Sequence, residues 1–236
     1  MNQVPIQPSF IDARTVESGV RERTFIRSVY AWMFGGLLIT ALAATWVAIS
    51  PAMQALVLQN RVVFFGLMIA EIGMVMYLSF RIQKISPAVA ASLFFVYSLL
   101  NGLTLSVILF LYTAGSIVQA FVVAAGMFGA MSIYGLVTKR DLTSWGSFFF
   151  MGLIGVLLCG VVNIFLKSSA MSFVISIVGV FVFVGLTAYD TQKLKSYATV
   201  TGPQATNFAV IGALALYLDF INLFLMLLRL LGGRRD

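Results

Sequence analysis

The sequence predicts an all-α membrane protein of seven transmembrane helices, and three observations carry that reading. Hydrophobic residues make up 61% of the 236 and charged residues 10%. The mean hydropathy is +1.01, outside the range of soluble domains. A chain this apolar dissolves in lipid only if its backbone polar groups bond internally, as helices of about 20 residues or as a closed barrel. Its apolar runs are continuous and do not alternate with period two, which selects helices.

Residues 1–25 are polar and mixed in charge, with no apolar core leading to a cleavage site. They read as a short cytoplasmic tail and not as a signal peptide, which leaves 26–236 as the transmembrane domain. Apolar stretches then run over Val29 to Ile49, Val62 to Phe80, Ala88 to Phe110, Ile117 to Val137, Phe148 to Leu166, Met171 to Tyr189 and Phe208 to Leu231. Each is about as long as a span requires. Ser50-Pro51, Ser86-Pro87 and the segment YTAGS at 112–116 supply the breaks. The longest interior connection, TQKLKSYATVTGPQATN at 191–207, contains Gly202-Pro203 and reads as a surface loop. Ala125-x-x-x-Gly129 lets two helix backbones approach. No internal repeat of fixed period is present, which argues against an inverted-repeat transporter.

The net charge of +7 places Lys and Arg at the ends of the apolar stretches, where they set topology and meet headgroups, so no nucleic acid partner is expected. With seven crossings, Arg14, Arg21, Arg23, Arg27, Arg81, Lys84, Lys139, Arg140, Lys193 and Lys195 fall on the amino-terminal side. Arg61, Lys167, Arg229, Arg234 and Arg235 fall opposite. The amino terminus is therefore expected in the cytoplasm. A re-entrant last segment would bring the basic GGRRD end to the same side; a full crossing is the preferred reading. Cys159 is the only cysteine and histidine is absent, which removes disulfides, histidine-based catalysis and imidazole metal sites.

Glu71, Asp190 and Asp219 are the acidic residues within or bordering the apolar stretches. A carboxylate at the centre of a span costs about 2.5 to 3.5 kcal/mol on insertion scales, so it faces protein or water and has a partner. Helical spacing puts Thr187, Asp190 and Leu194 on one stripe and Asp219 with Asn222 and Met226 on another. The two aspartates meet if the last helix starts late, near Ala213. Two carboxyl groups in contact in a poorly solvated site share a proton. Doubly ionised, they repel each other and attract a cation. A hard ion such as Ca2+ favours the oxygens of Asp190, Asp219 and Asn222. Arg81 either snorkels to headgroups or reaches inward as a counter-charge, while Lys84, Lys193 and Lys195 read as topology and surface charges.

The motifs TKRDLTSWGSF (138–148), VNIFLKS (162–168), VGLTAYDTQKLK (184–195) and LYLDFINLFLMLLRLLG (216–232) resemble the bacterial branch of the Bax inhibitor-1 family. That resemblance implies a bacterial inner-membrane protein of seven helices with the last helix central. It further implies a passive, pH-sensitive calcium leak with no tightly bound cofactor. The family's paired aspartates match Asp190 and Asp219, which become the pH-sensing and ion-binding residues. Its latching arginine matches Arg81, and Glu71 and Asn222 remain secondary polar positions. The expected partners are the bilayer, Ca2+ and protons. An intramembrane aspartyl protease is the rival reading, since AYD at 188–190 fits its first motif, but YLDF at 217–220 lacks the glycines of its second. A third reading is an adaptor that binds or inhibits a membrane protease through the tail from Met1 to Phe25.

Overall fold

The computed structural model describes residues 10–233 and 235, with side chains from Glu17 onward except that of Pro203. Seven helices among the described residues are long and apolar enough to cross a membrane. They are α1 (Phe10–Ile49), α2 (Arg61–Arg81), α3 (Pro87–Leu105), α4 (Ala114–Val137), α5 (Thr143–Leu166), α6 (Ser169–Tyr197) and α7 (Pro203–Leu231). Short helical turns at Pro51–Gln54, Ala55–Gln59 and Ile108–Leu111 fill the connections after α1 and α3.

Local chemistry starts the helices where the polar breaks fall. The side-chain oxygens of Asn60, Ser86, Thr113 and Ser168 accept hydrogen bonds from backbone amides of the first turns of α2, α3, α4 and α6. Each satisfies a donor that the helix leaves unpaired, and Pro87 follows Ser86 at a position where proline costs no hydrogen bond. Lys167 closes α5 in the left-handed conformation at φ 50. Gly202, at φ 74, makes the turn into α7.

Hydrogen bonds between loops fix the topology. Asn207 donates from Nδ2 to the carbonyls of Ile82 and Ile85, each at 2.8 Å, which ties the start of α7 to the α2–α3 turn. Gln192 accepts from the Leu142 amide and donates to the Arg140 carbonyl, which ties the end of α6 to the α4–α5 loop. At the other face, the Gly233 amide donates to Ser116 Oγ and the Arg235 amide to the Leu111 carbonyl. Neighbouring helices in sequence therefore run in opposite directions, and α7 extends from one face of the bundle to the other without a break. It is also the central helix: 72% of its apolar window is buried, against 6% for α2 and for α5.

The structure departs from the sequence reading in four places. Residues 10–25 belong to α1, so the helix begins well before the first apolar stretch; residues 1–9 lie outside the described residues. The third stretch, read as continuous to Phe110, breaks at Ser106 and Val107. There the Ser106 hydroxyl donates to the Leu103 carbonyl and competes with the helix ladder. The surface loop expected at 191–207 shrinks to 198–202, because α6 runs on to Tyr197 and α7 begins at Pro203. The polar residues that suggested a loop are instead helical side chains that clamp neighbours: Lys195 donates to the carbonyl of Leu136 at the end of α4. Finally, Ala125 and Gly129 pack no helix inside the chain. Ala125 is exposed and a Cβ at Gly129 meets open space. The close backbone approaches occur at Gly102 against Thr40 and at Gly135 against Ala188, where an added Cβ would lie 2.4 Å from a carbonyl oxygen.

Candidate functional site

Asp190 and Asp219 line one cavity of about 790 Å³, formed by residues of α2, α5, α6 and α7. The two side chains are near enough to act on each other, and carboxyl groups that meet in so buried a place share a proton more readily than both ionise. Asp219 is only 4% exposed, and its Oδ2 receives no hydrogen bond from the protein. The aspartates come level because of where α6 and α7 touch, without the late start near Ala213 that the sequence suggested. Gly212 lies against Leu194, since a Cβ there would sit 2.6 Å from Leu194 Cδ2. From that contact Asp190 is four residues along α6 and Asp219 seven along α7, an axial difference of about 4.5 Å that two side chains can bridge.

The polar companions serve the helices. Thr187 donates to the Phe183 carbonyl at 2.7 Å, and Asn222 donates from Nδ2 to the Leu218 carbonyl at 2.8 Å. Asn222 lines the cavity, and that donation leaves its amide oxygen available to a cation. No group of three or more His, Cys, Asp and Glu suited to a metal ion occurs among the described residues. A cation at this site therefore meets two carboxyl groups and an amide.

Arg81 is not brought to the pair. Val75 and Ser79 are the residues of α2 that line the cavity, whereas Arg81 is exposed at the end of that helix. Two residues beyond Ser79 a helix has turned by about 200°, which aims Arg81 away from the cavity. This arrangement matches the snorkelling alternative, and a latch requires α2 to rotate. With the geometry as it stands, Arg81→Ala is expected to lower insertion or yield and to leave the fold around the aspartates unchanged, measured as membrane-inserted protein and as its melting temperature in detergent; a lowered melting temperature at normal yield would mean that Arg81 packs against the bundle.

Glu71 belongs to a different cluster. It accepts hydrogen bonds from Thr104 Oγ1 at 2.8 Å and Asn101 Nδ2 at 3.3 Å, beside a second cavity of about 490 Å³. Asn101 in turn accepts from the Tyr217 hydroxyl at 2.9 Å, which also lies 2.6 Å from Thr40 Oγ1. One chain of hydrogen bonds thus joins α2, α3, α7 and α1. Such a network holds helices together in lipid, where an unpaired polar group is costly.

Two contributors escaped the sequence reading. Lys193, taken there as a surface charge, lines the cavity and is the cation that acts on Asp190. Its spacing of three residues from Asp190 was the available signal. Tyr217 is fully buried and stands two residues before Asp219, so it projects to the opposite side of α7. No sequence signal distinguishes it from a packing aromatic.

A family model described as inhibitor of apoptosis-promoting Bax1 matches residues 22–236. The inner membrane protein YbhL of Escherichia coli strain K12 is 50% identical over 239 residues, covering 100% of both chains. An uncharacterized protein of Deinococcus radiodurans is 45% identical over 216 residues, covering 91% of this chain and 92% of its own. The uncharacterized protein RP147 of Rickettsia prowazekii is 43% identical over 228 residues, covering 94% of each.

Proposed function

The chain belongs to the Bax inhibitor-1 family, and from that premise we propose that it is a passive Ca2+ leak of the bacterial inner membrane, gated by the protonation of Asp190 and Asp219. One observation carries the reading: two carboxyl groups from consecutive antiparallel helices share a cavity, with a buried carboxyl oxygen unpartnered by protein. Such a pair holds a proton in one state and, when both groups ionise, repels itself and offers its oxygens to a cation. Two carboxylates and one amide are few ligands for an ion that takes six to eight oxygens in tight sites. Weak coordination suits a permeation step, in which the ion must leave as readily as it enters. Protons and the permeant ion thus compete for the same atoms.

Orientation is part of this reading. The excess of Lys and Arg on the amino-terminal side of the bundle supports a cytoplasmic position for that side. A reporter fused after Asp236 is expected to report the external face and one at the amino terminus the cytoplasm. The same face for both would defeat seven full crossings.

The decisive experiment is reconstitution. Purified protein in vesicles loaded with a calcium dye is expected to pass Ca2+ down its gradient without nucleotide. Vesicles that stay tight from acidic to neutral pH, while a membrane-spanning peptide is cut, would replace the leak with an aspartyl protease.

A further inference from the structure

The cavity that holds the aspartates is built for more than an ion. Phe150, Met151 and Leu157 line it and are also more than half exposed on the outside of the bundle, so it opens sideways towards the acyl chains of the membrane. Its wall is mostly apolar: Val75 of α2 faces Leu153 of α5, Phe183 and Leu186 of α6, and Leu218 of α7. Along α6 it extends from Phe183 to Tyr197. The ten residues between Phe183 and Lys193 span about 15 Å, half of a hydrocarbon core of about 30 Å. The cavity therefore has the length of one leaflet, with its mouth at the end of the bundle where α6 stops.

That mouth carries a charge. Lys193 Nζ sits 5.8 Å from the ring centroids of both Tyr189 and Tyr197, and all three residues line the cavity. The Tyr189 ring is itself held against the backbone of α5, because a Cβ at Gly146 would meet it at 2.4 Å. Lys193 is exposed and makes no ion pair among the described residues. An ammonium flanked by two phenols, with the Asp190 carboxyl three residues deeper in the same cavity, at the interfacial end of an apolar slot about one leaflet long, matches a phosphate joined to an acyl chain.

We propose that this cavity binds an anionic phospholipid from the leaflet on the amino-terminal side, with its phosphate at Lys193 and one acyl chain along Phe183, Leu186 and Leu218. The chain covers Asp190 and Asp219 and excludes water from them, so the bound lipid acts as a plug. The plugging role rests on the leak reading above; the binding does not.

Native mass spectrometry of the full chain equilibrated with dioleoylphosphatidylglycerol in detergent tests the binding directly. Wild type is expected to retain one lipid per chain, and Lys193→Gln to retain about fivefold less, the loss of one lysine at a lipid surface. Lys193→Arg restores retention, and Ala215→Leu, which narrows the slot while leaving the charge, reduces it. Neither inorganic phosphate, which lacks the chain, nor dioleoylglycerol, which lacks the phosphate, competes. Equal retention by wild type, Lys193→Gln and Ala215→Leu would overturn the site. Displacement by inorganic phosphate would reduce it to an anion site without an acyl chain, and displacement by dioleoylglycerol would remove the role of Lys193. Should Ala215→Leu fail to fold, the Lys193 variants and the two competitors decide alone. Because retention is measured without flux, a lipid-binding protein that passes no Ca2+ would sink the leak and leave the lipid site standing.

Discussion

If the protein is the proton-gated leak proposed above, Asp219→Asn and Asp190→Asn are each expected to flatten the pH dependence of Ca2+ flux, with the double variant adding little to either. Asparagine keeps the size of the side chain and its capacity to hydrogen-bond but cannot ionise, so one substitution removes the shared proton and with it the switch. Because the two aspartates line one cavity and act on each other there, their effects are expected to couple, by about 0.5 to 3 kcal/mol for neighbouring residues. The substitutions therefore behave as the loss of one unit. Dye-loaded vesicles across acidic to neutral pH give the flux. Infrared spectra give the protonation state directly, as a carboxylic acid C=O band present in wild type and lost in either variant. A full pH response in both single variants would return the aspartates to a purely structural role.

Gly135→Val is expected to cost the most stability of any single change in the packing around the site. At this position α4 meets α6 backbone to backbone, with an added Cβ 2.4 Å from the Ala188 carbonyl oxygen and 3.0 Å from Thr191 Cβ. No flexible side chain can give way, so α4 must move off α6. Overpacking of this kind costs about 1 to 3 kcal/mol, with the upper end expected because the obstacle is backbone. For a chain of this size that corresponds to a fall in Tm of about 6 to 12 °C. Ala188 lies two residues from Asp190, so the displacement is also expected to disturb the aspartate pair and, if the proposed leak holds, to weaken its pH response. Gly129→Ala is the matched control: its Cβ enters open space, and alanine favours the helix. Thermal unfolding in detergent separates the two, and equal melting temperatures would mean that α4 and α6 are not in contact as described.

The two glycines, six residues apart on one helix, show what a sequence can and cannot reveal. Gly129, paired with Ala125 at the spacing of a packing motif, faces outward, whereas Gly135, in no motif, carries the contact. Spacing says which residues share a face; it does not say which face meets a neighbour. The same limit applies to Arg81. Its position at the end of α2 followed from charge, but the direction of its side chain depended on which stripe of α2 faces the core, here the one with Leu78 and Ile82. Lys193 shows the reverse case. The helix that carries it continues past its apolar stretch, so a residue assigned to a surface loop ends at the mouth of the cavity.

By itself, the sequence determined that this is a membrane protein of seven helices, because apolar runs of fixed length are a one-dimensional property set by the thickness of lipid. It also singled out Glu71, Asp190 and Asp219 as positions to explain, because a carboxylate in such a run is costly wherever the run packs. The family resemblance implied a central last helix, and the buried α7 agrees; only the tertiary structure decided that Glu71 bonds to Asn101 and Thr104 away from the aspartates and that one cavity of four helices holds the aspartates with Lys193. In a chain where 61% of residues are hydrophobic, lipid-facing and core-facing sides look alike in composition. Which side faces inward is then settled by close packing and by the few interhelical hydrogen bonds, neither of which is written in the order of residues.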